Sequence, residues 1–199
     1  MAPYMMSVAL WVGCIAFSLM YPLTKYSGKL KSGLAWWGSK ASVLYLIALL
    51  QAAVMIFMLH LCDGFKPVEM GKTLAVACLA SVAFMSVMYF FTNTFGKVGS
   101  FLMLVFMVIQ LAGSVGTYPL ELSGSFVPYL HDWVPFTYTV EAFRSTISGG
   151  ESIQEAVIFL TVLWIVFTLL TILEFQIRTL KMKRGKRTLD NWLEEKGLA

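Results

Sequence analysis

Five stretches of 19 to 22 residues run without a Lys, an Arg or an Asp: Tyr4–Leu23, Ala41–Cys62, Leu74–Phe95, Phe101–Leu120 and Val157–Phe175. At about 1.5 Å of rise per residue, each reaches about 28–33 Å as a helix, which matches a hydrocarbon core about 30 Å thick. Inside lipid every backbone amide must be bonded within the protein, and these stretches lack the ten-residue alternation of a barrel strand. The expected fold is an all-α integral membrane protein with five transmembrane helices. Glu174, at the end of the last stretch, is the one acid in the five.

Composition supports this and removes other classes. Of 199 residues, 58% are hydrophobic and 13% charged, and the mean hydropathy is +0.75. Soluble domains carry about 25% charged residues, so too little charge is present to cover a water-facing body. A soluble enzyme, a disordered chain and a nucleic-acid binder are excluded, and the lipid bilayer is the main partner. Cys14, Cys62 and Cys78 lie in apolar runs without a CxxC spacing and form no metal framework.

Met1–Pro3 carries no basic residue, and Lys25, Lys29 and Lys31 follow the first stretch instead of preceding it. That order is the reverse of a signal peptide, so the first stretch reads as a true span. Twelve of the fifteen Lys and Arg fall in the first connection, the third connection and the tail. By the positive-inside rule these face the cytoplasm. The expectation is a multi-pass plasma-membrane protein with its amino terminus outside and its carboxyl terminus in the cytoplasm.

The connections differ in kind. Gly96–Ser100 is short enough to force the third and fourth spans into an antiparallel hairpin. In the first connection, KLKSGLAWWGSK places Lys29, Lys31, Trp36, Trp37 and Lys40 just before the second span. It reads either as a segment lying at the inner headgroup layer or as a plain anchor for that span. The fourth connection, 121–156, is too long for a passive link. Its aromatics are punctuated by Pro128 and Pro135, while 137–147 runs free of Gly and Pro with Tyr138, Glu141 and Arg144 on one face. A re-entrant or surface outer helical hairpin is expected there, with Arg144 pairing with Glu141 or meeting headgroups. Residues 1–180 then form a single membrane domain. The remaining 181–199 form a basic tail, part of a cationic stretch starting at Arg178 that clamps the inner leaflet.

Catalytic and cofactor chemistry is not evident. His60 and His131 pair with neither each other nor a cysteine at metal-ligand spacing, and GxSxG, HExxH and Walker sequences are missing. A non-enzyme without cofactor or metal is expected. Gln51, Asn93 and Gln110 are costly in lipid, and read either as a polar seam between the second, third and fourth spans or as ordinary helix–helix hydrogen bonds. Glu174 and Arg178, four residues apart, read as an interfacial ion pair.

The run from Ala112 to Gly150 resembles the last outer loop of type-2 ABC exporter permeases, through Gly113, Pro119, Pro135, Thr137, Tyr138, Glu141, Arg144 and Gly149. Together with KLKSGLAWWGSK and the basic tail, it resembles the carboxyl-terminal membrane domain of the YhgE/Pip (phage infection protein) family. The resemblance implies a longer protein, with a further amino-terminal span and an ectodomain that this chain lacks. It implies a permease-like role in export, with 25–40 as the place where an ATPase subunit would touch, and packing as a homodimer. The other implied role is a non-transporting scaffold that anchors a phage receptor or a type VII secretion-like assembly at the cell surface.

Overall fold

The computed structural model describes residues 2–21, 32–62, 64–113, 133–150 and 152–183. All regular structure among them is helical: α1 (Ala2–Met20), α2 (Gly33–Cys62), α3 (Met70–Phe95), α4 (Lys97–Gly113), α5 (Pro135–Ser148) and α6 (Gln154–Lys183). α1, α2, α3 and α6 are long and apolar enough to cross a membrane, and α4 is a shorter apolar helix of 17 residues. Pro119, Lys29, Lys31, His131 and the tail beyond Lys183 lie outside the described residues, as do 114–120 of the expected fourth span and 121–132 of the hairpin.

α3 is the hub, packed against each of the other five helices. Its sequence explains why. Ala77, Ala80, Ser81 and Ala83 are fully buried, and small side chains let neighbouring backbones approach closely where no hydrophobic effect drives helices together. Between them Phe84, Met85, Met88 and Tyr89 fill the wider gaps. α2 and α6, in contrast, turn Leu46, Leu50, Val54, Phe57, Val162 and Leu169 outward, as lipid-facing helices do.

The helix ends segregate. At one end, Val68 and Glu69 ahead of α3 donate backbone N–H bonds to Ile147 and Thr146 of α5 at 3.3 and 3.2 Å, and the Tyr4 hydroxyl of α1 donates to Leu111 of α4 at 3.3 Å. At the other end, the start of α2, the α3–α4 turn and the last turns of α6 meet. These are called the α5 end and the Gly96 end below.

α3 and α4 each start one turn earlier than expected from sequence, and α6 runs on past Phe175 to Lys183; two further differences have a visible cause. The α3–α4 connection is a single residue, Gly96, at φ 59°, with its N–H bonded to Thr92 at 2.9 Å. Only glycine adopts that conformation cheaply. The tight turn presses Gly99 onto the backbone of Phe91, so that a Cβ at position 99 would collide with the Phe91 carbonyl. Gly99→Val is therefore expected to splay the α3–α4 pair, costing about 1–3 kcal/mol. A thermal-stability measurement in detergent checks this, with Gly71→Ala, where a Cβ meets open space, as the tolerated control.

The second difference is at α2, which begins at Gly33 instead of near Ala41 and runs unbroken for 30 residues. Trp36, Trp37 and Lys40 thus occupy its first turns, continuous with the span, which favours the anchor reading over a separate segment lying flat. About 45 Å of helix matches the hydrocarbon core plus both interfacial layers. Gly33 permits this by resting against the Gln176 backbone of α6, where a Cβ would sit 2.9 Å away.

Candidate functional site

The residues singled out by sequence fall into three places in the bundle. The first is α5. Pro135 supplies its first turn, where a missing N–H costs nothing. Gly149, at φ 70°, ends it by capping onto Ser145 at 2.8 Å. One face is apolar and buried: Phe136 and Phe143 are fully enclosed, and Thr137, Thr139, Val140 and Ala142 are buried beside them. Phe136 meets Trp11 of α1 edge-on at 5.6 Å and Phe84 of α3 at 5.7 Å. Both partners sit near the middle of their helices, so the start of α5 reaches mid-depth while its other end bonds Val68 and Glu69. Tyr138 stacks on Phe159 of α6 at 3.9 Å.

The opposite face of α5 is polar. Glu141 and Arg144 are exposed and line a cavity of about 530 Å³ with Ser145, Ser148, Ser152 and Glu155. Among the described residues Glu141 and Arg144 form no ion pair. Of the two arrangements expected for Arg144, the pair with Glu141 is not formed, and both side chains line the cleft.

The second place is the mid-bundle. Gln51 donates to Ser81 Oγ at 2.7 Å, and its amide also lies 3.1 Å from Cys14 Sγ and 3.3 Å from Leu10 O. Ser81 passes its own proton to Ala48 O at 2.7 Å. One side chain thereby ties α1, α2 and α3, and Gly13 leaves the room it needs. Tyr45 does the same for α2, α3 and α6. Ser86 gives its proton to Val82 O, so Tyr45 donates to Ser86 at 3.1 Å and accepts from Thr168 at 2.9 Å. Sequence reasoning passed over Tyr45, Ser81 and Thr168, because single hydroxyls in apolar runs carry no visible pattern.

Gln51, Asn93 and Gln110 are not joined by a hydrogen bond. Gln51 bonds toward α1 and α3, not α4. Gln110 is fully buried on α4, and its carboxamide has no hydrogen-bond partner among the described residues. Asn93 lies near the Gly96 end, equally buried and with its carboxamide likewise unpartnered.

The third place is that Gly96 end. Arg178 pairs with Glu174 at 2.5 Å and donates to the Asn93 carbonyl, while Thr94 donates to the other Glu174 oxygen at 2.7 Å. The Arg178 side chain is 7% exposed and that of Glu174 17%. The pair read from sequence is formed, and through Asn93 and Thr94 it also clamps α3 to α6. Trp36 packs edge-on against Phe175 at 4.8 Å, Tyr89 donates to Trp37 O at 3.4 Å, and Lys40 lies over the Tyr21 ring at 4.8 Å. The α2 aromatics are thus built into the bundle beside the clamp.

No protein-family model and no solved structure matches the chain. Among curated proteins it is similar to the uncharacterized protein YhgE of Bacillus subtilis (strain 168), with 32% identity over 151 residues. That alignment covers 76% of this chain and 20% of the relative, so the chain spans about a fifth of that protein's length. The similarity agrees with the apolar helices of the bundle, and the chain belongs to the YhgE family as a membrane domain.

Proposed function

We propose that this chain is a permease-like membrane domain, similar to those of type-2 ABC transporters, that takes part in export across the plasma membrane. In this reading α4, completed by the residues that follow it, is a fifth crossing, and the α5 end faces outward. α5 is then the returning arm of a re-entrant hairpin that lids the bundle. The Lys and Arg distribution supports the orientation, with the amino terminus outside and the tail in the cytoplasm. The carrying observation is the insertion of α5 to the level of Trp11 and Phe84. A surface helix would lie across the ends of the others, not among them. A second copy and an ATPase subunit at the Gly96 end complete the proposal.

The experiment has two arms. In intact cells and on a Cys62→Ser background, which removes the exposed native thiol, Ser125→Cys should react with an impermeant thiol reagent and Lys186→Cys should not; the reverse pattern overturns the orientation. Efflux of amphiphilic dyes should fall in a deletion strain, and an ATPase should co-purify with the tagged chain.

A second reading, a non-transporting scaffold for a cell-surface or secretion assembly, is supported by the filled bundle centre. Fully buried Trp11, Phe84, Phe136 and Phe143 occupy it, and among the described residues no hydrogen bond links Gln51, Asn93 and Gln110. Unchanged efflux with no ATPase, together with loss of a surface partner on deletion, would replace the first reading by this one.

A further inference from the structure

The cleft beside α5 differs from two other grooves formed by the described residues. A groove between α2 and α3 and another bounded by α3, α4, α6 and the start of α5 are lined almost wholly by apolar side chains. Among the described residues, the α5 cleft, of about 530 Å³, carries one guanidinium, two carboxylates and three hydroxyls: Arg144, Glu141, Glu155, Ser145, Ser148 and Ser152. Its volume is that of a small-ligand site. Arg144 stands three residues from Glu141 on the same helix, where pairing is easily reached. Yet among the described residues no ion pair joins Arg144 to either carboxylate. Separated charges of both signs around one cavity are what a ligand carrying both signs requires.

Depth narrows the ligand further. The cleft lies where α5 ends at Gly149 and α6 begins at Gln154, outside the apolar length of α6. That is the level of the headgroup layer, where phosphates and amines of lipids reside.

We propose that this cleft binds a zwitterionic phosphoamine, met as a phosphatidylethanolamine headgroup. Arg144 takes the phosphate through its planar fork, and Glu141 and Glu155 take the primary ammonium. The serines hydrogen-bond the remaining phosphate oxygens. The charge arrangement sets an order of preference. A purely anionic headgroup such as phosphatidylglycerol meets two carboxylates with no cation to answer them. A quaternary amine such as phosphatidylcholine has no N–H to donate. The inference requires only that the bundle sits in a membrane, and it stands whether the chain transports, scaffolds or neither.

Native mass spectrometry of the full chain in detergent tests it, with short-chain phosphatidylethanolamine, phosphatidylcholine, phosphatidylglycerol and soluble O-phosphoethanolamine as probes. Phosphatidylethanolamine adducts should exceed phosphatidylglycerol adducts by about fivefold or more, and Arg144→Gln should weaken them about tenfold. Glu141→Gln with Glu155→Gln should erase the preference for the amine. Lys72→Gln, at an exposed residue paired with Glu69 at 2.8 Å on the same end, should change nothing. Displacement by O-phosphoethanolamine at equal concentration would assign the same chemistry to a soluble ligand; resistance to it assigns the site to lipid. Equal binding of phosphatidylethanolamine and phosphatidylglycerol, or wild-type adducts in Arg144→Gln, would overturn the proposal. Because these changes lie on exposed side chains, an unaltered melting temperature in each variant separates lost binding from lost folding.

Discussion

Replacing Arg178 by Met is expected to be the most damaging single change in this bundle. Arg178 neutralises Glu174 at 2.5 Å and bonds the Asn93 carbonyl, with both ionic side chains mostly withdrawn from solvent. Removing one partner of a buried pair strands the other charge, which costs about 3–5 kcal/mol. Thr94 still donates to Glu174 in the variant, but a single neutral hydroxyl does not replace a guanidinium. Thermal melting in detergent should show a large drop for Arg178→Met and little for Lys181→Met, an exposed cation one turn further on. Adding Glu174→Gln to Arg178→Met should recover much of the loss, because the stranded charge is then gone. If Arg178→Met melts like Lys181→Met, the clamp between α3 and α6 contributes nothing.

Phe136→Ala carries the second largest expected effect. The ring is fully enclosed and touches Trp11 and Phe84, which also meet each other edge-on at 4.8 Å. Truncation of a buried Phe costs about 3–5 kcal/mol in transfer and cavity terms together. Within a bilayer the transfer part shrinks, since lipid is as apolar as the protein interior. The cavity part remains, because a void among Trp11, Phe84 and α5 has no lipid to fill it. We expect a clear fall in melting temperature and faster proteolysis near Gly149 and Gly150, where α5 joins α6. Trp133→Ala, at a residue 81% exposed, should do neither. A stable Phe136→Ala variant with wild-type protease resistance would mean that α5 is a loosely laid surface helix, and the carrying observation for the export reading would fall.

The spans were legible because lipid imposes a severe rule on sequence: about twenty residues with no charge. α1, α2, α3 and α6 follow from it directly. α5 itself was legible in outline, from the uninterrupted run after Pro135 and the face shared by Tyr138, Glu141 and Arg144. Helix starts were not. α2 reaches back to Gly33 because that glycine fits against α6, and a contact with residue 176 leaves no trace near residue 33. The turn at Gly96 is shorter than composition suggested, since a lone glycine at positive φ can do the work of a loop. The Glu174–Arg178 spacing announced an ion pair, but its burial depends on Thr94 and Asn93 some 80 residues away in sequence. For the same reason Gln51 could be noticed and its partners could not. Periodicity says which residues face inward; it does not say which neighbour they find there.

That α3 holds every other helix has a consequence for biogenesis. Ribosomes deliver α1 and α2 first, and until the third helix arrives Gln51 has no Ser81, Tyr45 has no Ser86 and Trp11 has no Phe84. A nascent chain halted after residue 62 would hold α1 to α2 through little more than the Gln51 amide at Leu10 and Cys14, an easy target for membrane quality control. The arrival of the central helix is the step that turns separate insertions into one protein.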